Sequence, residues 1–280
     1  MAPRSQPTAR QVRLGTELRK LRDRTGMPAR EAARLLSSTS AQMSQVESGL
    51  SGVSEERVRR LAALYACADA ALIEALVAMA TDRTQGWWDE YQRVLPSEFL
   101  DLAELEHHAR SIQVIGTSHV PGLLQTEDYA RAVFSYWVPE FVEGEVEPRV
   151  AHRMGRKAVL ERCPYEVVLH ESVLRTRVAD RSVTRAQLEQ ILQESERTSV
   201  TVRVIPFDTD GFAGASAALL YLGGPVAALD TVQRDTPYGT AFLDDAAQLL
   251  AMRTLFRKVE SVSLDPARSR DFIHRLSKEV

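Results

Sequence analysis

Residues 29–48 constrain the fold most, because they predict two short helices joined by a turn of only three residues. Alanine-rich residues 29–36 form the first predicted helix, and residues 40–48 form the second. Thr39 and Gln42 match a capping box, in which the threonine hydroxyl accepts a free backbone NH and the glutamine reaches back to the cap. Two helices held this closely must pack against each other at an angle.

Apolar residues at helical spacing predict three more helices around this pair. The helices start near Val12, Ser54 and Ala70, and each has one apolar face. Five short helices within about 70 residues predict a compact all-α domain over residues 12–80. Residues 1–11 contain proline and small polar residues before any clear periodicity, so they are predicted to be a flexible arm.

Residues 81–280 predict a larger domain of mixed helices and strands, which places it in the α+β class. Runs of β-branched and alternating residues predict strands, and amphipathic runs predict helices. The predicted strands cover residues 165–171, 200–207, 217–222 and 226–231. The predicted helices cover residues 99–112, 126–137, 145–161, 184–198, 243–260 and 266–276.

The charge of the chain is unevenly distributed. The 280 residues carry a net charge of -3, but residues 1–80 contain 12 Arg and Lys against 8 Asp and Glu, which leaves +4 in this part. A basic first domain is compatible with a polyanionic partner or with a solvated helix surface. The sequence predicts neither a signal peptide nor a membrane span, and Cys67 and Cys163 have no paired spacing, so we expect a cytoplasmic protein.

The first domain resembles a known family of regulators. The segment LGTELRKLRDRTGMPAREAARLLSSTSAQMSQVESG is similar to the helix-turn-helix of phage-repressor-like, or XRE-type, proteins. In that motif the second helix enters the major groove of DNA. The resemblance implies base contacts from Ser40, Ala41 and Gln45, phosphate contacts from Thr39 and Gln42, and a structural pair formed by Arg22 and Glu47. An amide such as that of Gln45 can pair with adenine through two hydrogen bonds.

The sequence also departs from the family pattern. Pro28-Ala29 replaces the usual Thr-Gln at the start of the second helix, where the glutamine contacts a phosphate, and residues 40–48 contain no Arg or Lys. Phosphate contacts are therefore expected from the arm and from three arginines, which are Arg13, Arg30 and Arg34. Helix capping is an alternative role for Gln42. For the whole first domain, which we call the head, the alternative is that it binds a protein instead of DNA.

The second domain resembles the C-terminal region of actinobacterial WhiJ-like or antitoxin-like regulators. The segments that carry this resemblance are GWWDEY, VPGLLQTEDYARAV, YEVVLHESVLR, VTVRVIPF and LDPARSRDFI. Members of that group are often encoded beside a small partner protein. The resemblance implies a regulatory domain and does not supply a mechanism.

No constellation of residues predicts catalysis. The six histidines lack the spacing of a zinc motif, and neither a phosphate-binding loop nor a nucleophile elbow is present. We therefore expect no enzyme, no metal and no cofactor. The aromatic cluster of Trp87, Trp88 and Tyr91 could line a ligand pocket or could pack as structure.

Together these observations predict a sequence-specific transcriptional regulator that binds a double-stranded DNA operator. A homodimer held through residues 81–280 is expected, because one head contacts too few bases to select a site alone. An antitoxin-like protein that pairs with a small partner protein is the main alternative. An enzyme tethered to DNA is the third and least supported reading.

Overall fold

The computed structural model describes residues 6–136, 144–214, 218–236 and 239–280. Their contacts divide into two compact units. The first comprises the described part of Met1–Gln92 together with Pro96–Leu105 and Pro225–Leu229, and the second comprises the described parts of Arg93–Leu95, Glu106–Gly224 and Asp230–Val280. The predicted boundary between residues 80 and 81 thus falls inside the first unit.

Five helices form most of the first unit, as the sequence predicts. Their bounds are α1 Ala9–Arg24, α2 Ala29–Leu35, α3 Ser40–Glu47, α4 Glu55–Leu64 and α5 Ala70–Thr81. Leu18, Met43, Leu61 and Leu76 are buried in their common core, and Leu229 packs into the same core from a distant part of the sequence. The unit continues with a 3₁₀ segment, Trp87–Tyr91, and with most of α6, Ser97–His108.

The predicted arm is shorter than expected, because α1 begins at Ala9. Thr8 caps this helix: its hydroxyl accepts a hydrogen bond from Gln11 N, and Gln11 Oε1 accepts one from Thr8 N. Thr8 and Gln11 are thus a capping box that the sequence contains and that our reading overlooked. Residues 9–11 are therefore helix, and residues 1–5 of the predicted arm lie outside the described residues.

The second unit is built on a six-stranded mixed sheet with the order β3-β2-β1-β4-β5-β6. The strands are β1 Ser111–Gly116, β2 Tyr165–His170, β3 Val200–Ile205, β4 Leu219–Gly223, β5 Thr231–Thr236 and β6 Gly239–Leu243. β1, β2 and β3 are parallel, whereas β4, β5 and β6 continue from β1 in antiparallel pairs. The fold class predicted from the sequence, an all-α domain followed by an α+β domain, is confirmed.

The second unit also contains several helices. They are α7 Glu127–Ser135, α8 Val146–Arg156, α9 Glu171–Arg175, α10 Arg181–Glu194, α11 Ala246–Ser261 and α12 Pro266–Glu279. Leu249, Phe256 and Val259 of α11 pack on Ile115 and Val168 of the sheet. At the outer edge of β3, Val204 O accepts from Leu264 N at 2.8 Å and Val204 N donates to Ser269 Oγ at 3.0 Å, so this edge is covered by the chain itself.

Several elements predicted for residues 81–280 were wrong in extent or type. The helix predicted over residues 99–112 ends at His108, and its last residues begin the central strand β1. The strand predicted over 226–231 is instead a 3₁₀ turn, Ala227–Leu229, and β5 starts only at Thr231. Residue 137 of one predicted helix and residue 217 of one predicted strand lie outside the described residues.

Candidate nucleic-acid interface

Helix α3 presents one polar face to solvent. Ser40, Ala41, Ser44, Gln45 and Ser48 are exposed along it, whereas the opposite side chains of the helix are buried in the core. Within the described part of the chain, the side-chain amide of Gln45 makes no hydrogen bond. It can therefore donate and accept hydrogen bonds with an external partner at the same time.

The turn before α3 is held by a chain of hydrogen bonds. Thr39 Oγ1 accepts from Gln42 N at 3.1 Å, and Gln42 Oε1 accepts from Thr39 N at 3.1 Å and from Ser38 Oγ at 2.9 Å. Arg57 Nη2, from α4, donates to Ser38 Oγ at 3.0 Å. The predicted capping box is confirmed, and it uses the oxygen of the Gln42 amide. The NH₂ group of that amide makes no hydrogen bond within the described residues, so capping and a phosphate contact are compatible.

Arg22 and Glu47 connect α1 to the end of α3. Arg22 Nε donates to Glu47 Oε1 at 2.7 Å, and Arg22 Nη2 donates to Glu47 Oε2 at 2.9 Å. Arg22 Nη1 also donates to Met27 O at 2.7 Å. The pair is nearly buried, and the hydrogen bonds that Arg22 donates to Glu47 raise the pKa of Arg22. Such a bidentate pair fixes the orientation of both helices.

Gly15 allows α1 and α3 to approach closely, and our sequence reading did not single it out. A Cβ atom at this position would lie 2.6 Å from Val46 O and 2.7 Å from Glu47 O. A glycine between the leucines of an otherwise regular helix is a sequence signal for such a backbone contact.

The three arginines predicted to contact phosphates lie in different environments. Arg30 and Arg34 are exposed one turn apart on α2, and neither forms an ion pair within the described residues. Arg13 is only 5% exposed. Its Nε donates to Glu17 Oε1 at 3.0 Å and its Nη2 to Ala228 O at 2.6 Å. The prediction for Arg13 was therefore wrong, because its guanidinium is engaged inside the unit and cannot reach DNA.

Two family models match the chain. One is described as a helix-turn-helix domain and matches residues 13–76. The other is described as a domain of unknown function, DUF5753, and matches residues 99–275, which is more than half of the chain. The chain belongs to the DUF5753 family. The helix-turn-helix match contains α2, α3 and the turn between them, and it indicates DNA binding. No significant match was found among curated proteins or among solved structures.

The DUF5753 region contains the segment VPGLLQTEDYA, whose polar side chains hold its own loop together. Gln125 is fully buried, and its Nε2 donates to Val120 O at 2.6 Å. The hydroxyl of Tyr129 accepts from Val120 N at 3.2 Å, and Thr126 caps α7. Gln187 of α10 accepts from Thr126 N at 2.8 Å and donates to Leu124 O at 2.8 Å. These hydrogen bonds give several polar side chains of the segment a structural role.

No group of three or more His, Cys, Asp or Glu side chains that could hold a metal ion occurs among the residues described above. In the same residues, no helix is long and apolar enough to cross a membrane.

Proposed function

We propose that this protein is a sequence-specific transcriptional regulator in which α3 is the recognition helix. The proposal rests on one observation, the two different faces of α3. The outer face is polar and exposed, and the side-chain amide of Gln45 on it makes no hydrogen bond within the described residues, while the inner face packs in the core. A helix of this kind can offer side chains to base edges without disturbing its own unit.

Each residue of the interface has a proposed role. Gln45 reads adenine through its amide, while Ser40 and Ala41 contact neighbouring bases. Ser44 and Ser48 share this face and extend it by one turn. The groups proposed to contact phosphates are Arg30, Arg34, Thr39 and the free NH₂ of Gln42.

Two copies of the chain are proposed to act together, joined through residues 81–280. Paired heads read two half-sites, which gives the selectivity that one short helix lacks. Phe207 and Leu250 of this region leave 60% and 61% of their surface exposed. Such apolar side chains favour a protein contact, and a small partner protein, as in antitoxin-like pairs, is the second candidate for it. No chemical step is part of the proposal.

The substitution Gln45→Ala tests the recognition role. We expect it to weaken binding to a native operator by about 5–150-fold, which corresponds to the roughly 1–3 kcal/mol of a bidentate base contact. Binding to random DNA should change little. Operators are first obtained by selection from a random library, and affinities are then measured by fluorescence anisotropy at fixed salt.

The matched control is Gln248→Ala, which removes another exposed glutamine from a helix of the second unit. This variant should bind both DNAs like the wild type. An equal loss of affinity for operator and random DNA in Gln45→Ala would contradict base reading by Gln45.

A further inference from the structure

Helix α8 carries three arginines at positions that share one face of the helix. Arg149, Arg153 and Arg156 are spaced by four and three residues, so they follow one another along the helix. Arg156 is neutralised by Glu106: its Nε donates to Oε2 at 2.8 Å and its Nη2 to Oε1 at 2.6 Å. Both side chains of this pair are almost completely buried.

Arg153 forms no ion pair with a carboxylate among the described residues. Its Nη1 donates to Gln125 Oε1 at 2.8 Å, and its guanidinium lies 4.0 Å from the centre of the Phe134 ring. Its Nε is buried. Among the described residues, neither Nε nor Nη2 of Arg153 makes a hydrogen bond. A guanidinium has five NH donors, and only one of those of Arg153 is used.

Arg153 and Arg156 repel each other, and their charges also act on two nearby histidines. Burial, followed by repulsion from Arg156, lowers the pKa of Arg153 to about 9. Burial and the same two arginines lower the pKa of His152 to about 3. Burial and Arg153 also lower the pKa of His119, against an opposing effect of Asp235. Burial is the largest cause of all three shifts and repulsion from the neighbouring arginines adds to it, while Asp235 and Glu106 oppose the shift at Arg153.

Arg153 is nevertheless not completely buried. The residue as a whole is half-buried, and the backbone of Gly122 lies beside it. Gly122 has no side chain to cover this place: a Cβ atom built there would lie 3.5 Å from Arg153 Nε and 3.6 Å from Arg156 Nη1. Two guanidinium groups thus flank a position where the protein supplies only backbone.

We propose that Arg153, with Arg156 beside it, binds an oxyanion, either a carboxylate or a phosphate group of a small-molecule ligand. Planar guanidinium groups match both kinds of oxyanion through paired hydrogen bonds. The bound anion provides the negative charge that Glu106 provides for Arg156. This ligand site lies wholly in the second unit and does not depend on the proposed DNA contacts.

The proposal is tested on the full chain by thermal unfolding in potassium phosphate, potassium acetate and potassium chloride at equal ionic strength. At an oxyanion concentration tenfold above its Kd, wild-type Tm should exceed that in chloride by about 3–5 °C. Arg153→Gln should lose this rise. It should be no less stable than the wild type in chloride, because it removes a buried cation without a paired carboxylate.

Arg257→Gln is the matched control, since it removes an exposed arginine from α11 of the same unit, and it should keep the full rise. Arg153→Lys keeps the positive charge but not the planar guanidinium, so part of the rise in Tm should remain. If Arg153→Gln does not fold, the Tm of Arg153→Lys in the three salts tests the proposal instead. A rise in phosphate alone, or in acetate alone, identifies the group that is bound. No rise in either salt, or an equal rise in the wild type and both Arg153 variants, overturns the proposal.

Discussion

Arg13, Arg30 and Arg34 show at the residue scale why charge in a sequence does not identify a contact. All three are arginines of the first two helices, yet Arg30 and Arg34 face solvent and Arg13 is buried. Arg13 donates to Glu17 and to Ala228 O, and the second of these lies 215 residues away in the sequence. Periodicity within one helix gives no information about such a distant acceptor.

These positions should therefore respond differently to the same substitution. Arg30→Gln or Arg34→Gln should each reduce the slope of log Kobs against log salt concentration by about 0.9, because one phosphate contact is lost. Arg13→Gln should leave this slope unchanged. It should instead lower the free energy of unfolding by about 1.5–3 kcal/mol, the usual value for hydrogen bonds to a charged group. Glu17 would keep its ion pair with Lys20, which is 2.8 Å away.

Salt titrations of operator binding and thermal unfolding of the three variants separate these outcomes. A reduced slope in Arg13→Gln would mean that its guanidinium leaves the interior to bind DNA. Unchanged slopes in Arg30→Gln and Arg34→Gln would remove both residues from the interface.

At the scale of elements, helices with local signals and the strands β2, β3 and β4 were predictable, whereas the central strand β1 was not. Thr39 and Gln42 mark the start of α3 in the sequence because capping is a contact between residues three apart. β1 has no such signal: it follows α6 after two residues and depends on hydrogen bonds to β2 and β4, which come much later in the chain. The first two residues of its sequence SIQVIG, Ser111 and Ile112, were therefore assigned to the preceding helix, and no strand was predicted over the other four.

The crossing of α1 and α3 leads to a prediction at the same scale. Gly15→Ala would place a methyl group 2.6 Å from Val46 O, so the helices must separate. Overpacking costs about 1–3 kcal/mol, or more against backbone, and it outweighs the roughly 0.5–1 kcal/mol that alanine gains over glycine within a helix. We expect a lower Tm and weaker operator binding, since α3 also shifts.

Calorimetry and operator titration check this result, with Gly52→Ala as the control. A Cβ atom at Gly52 meets nothing within 4 Å, so its stability should stay within about 0.5 kcal/mol of the wild type. A Gly15→Ala variant as stable as Gly52→Ala would show that the two helices do not need this close contact.

On the scale of the whole molecule, the two units are not two consecutive stretches of sequence. The first unit includes Pro225–Leu229, a segment that comes between two strands of the sheet, and Leu229 packs into its core. A domain boundary read from composition and periodicity assigns each residue by its neighbours in the chain. The sequence therefore predicted the five-helix part of the first unit, which ends near residue 80. It did not predict that later segments of the chain belong to the same unit.

The proposed dimer gives the last prediction, which concerns the assembled molecule on DNA. Joining two heads makes the second contact intramolecular, which raises affinity by about 10²–10⁴ over one head without any new base contact. This gain would offset a recognition helix that contains no arginine or lysine. Binding should therefore weaken by about 10²–10⁴-fold on DNA with a single half-site. It should weaken similarly when half a helical turn is inserted between two half-sites whose centres lie about one turn apart. Light scattering should give the mass of two 31.2 kDa chains both free and on the operator. A single chain on the operator, or equal affinity for one half-site and two, would show that the protein reads DNA as a monomer.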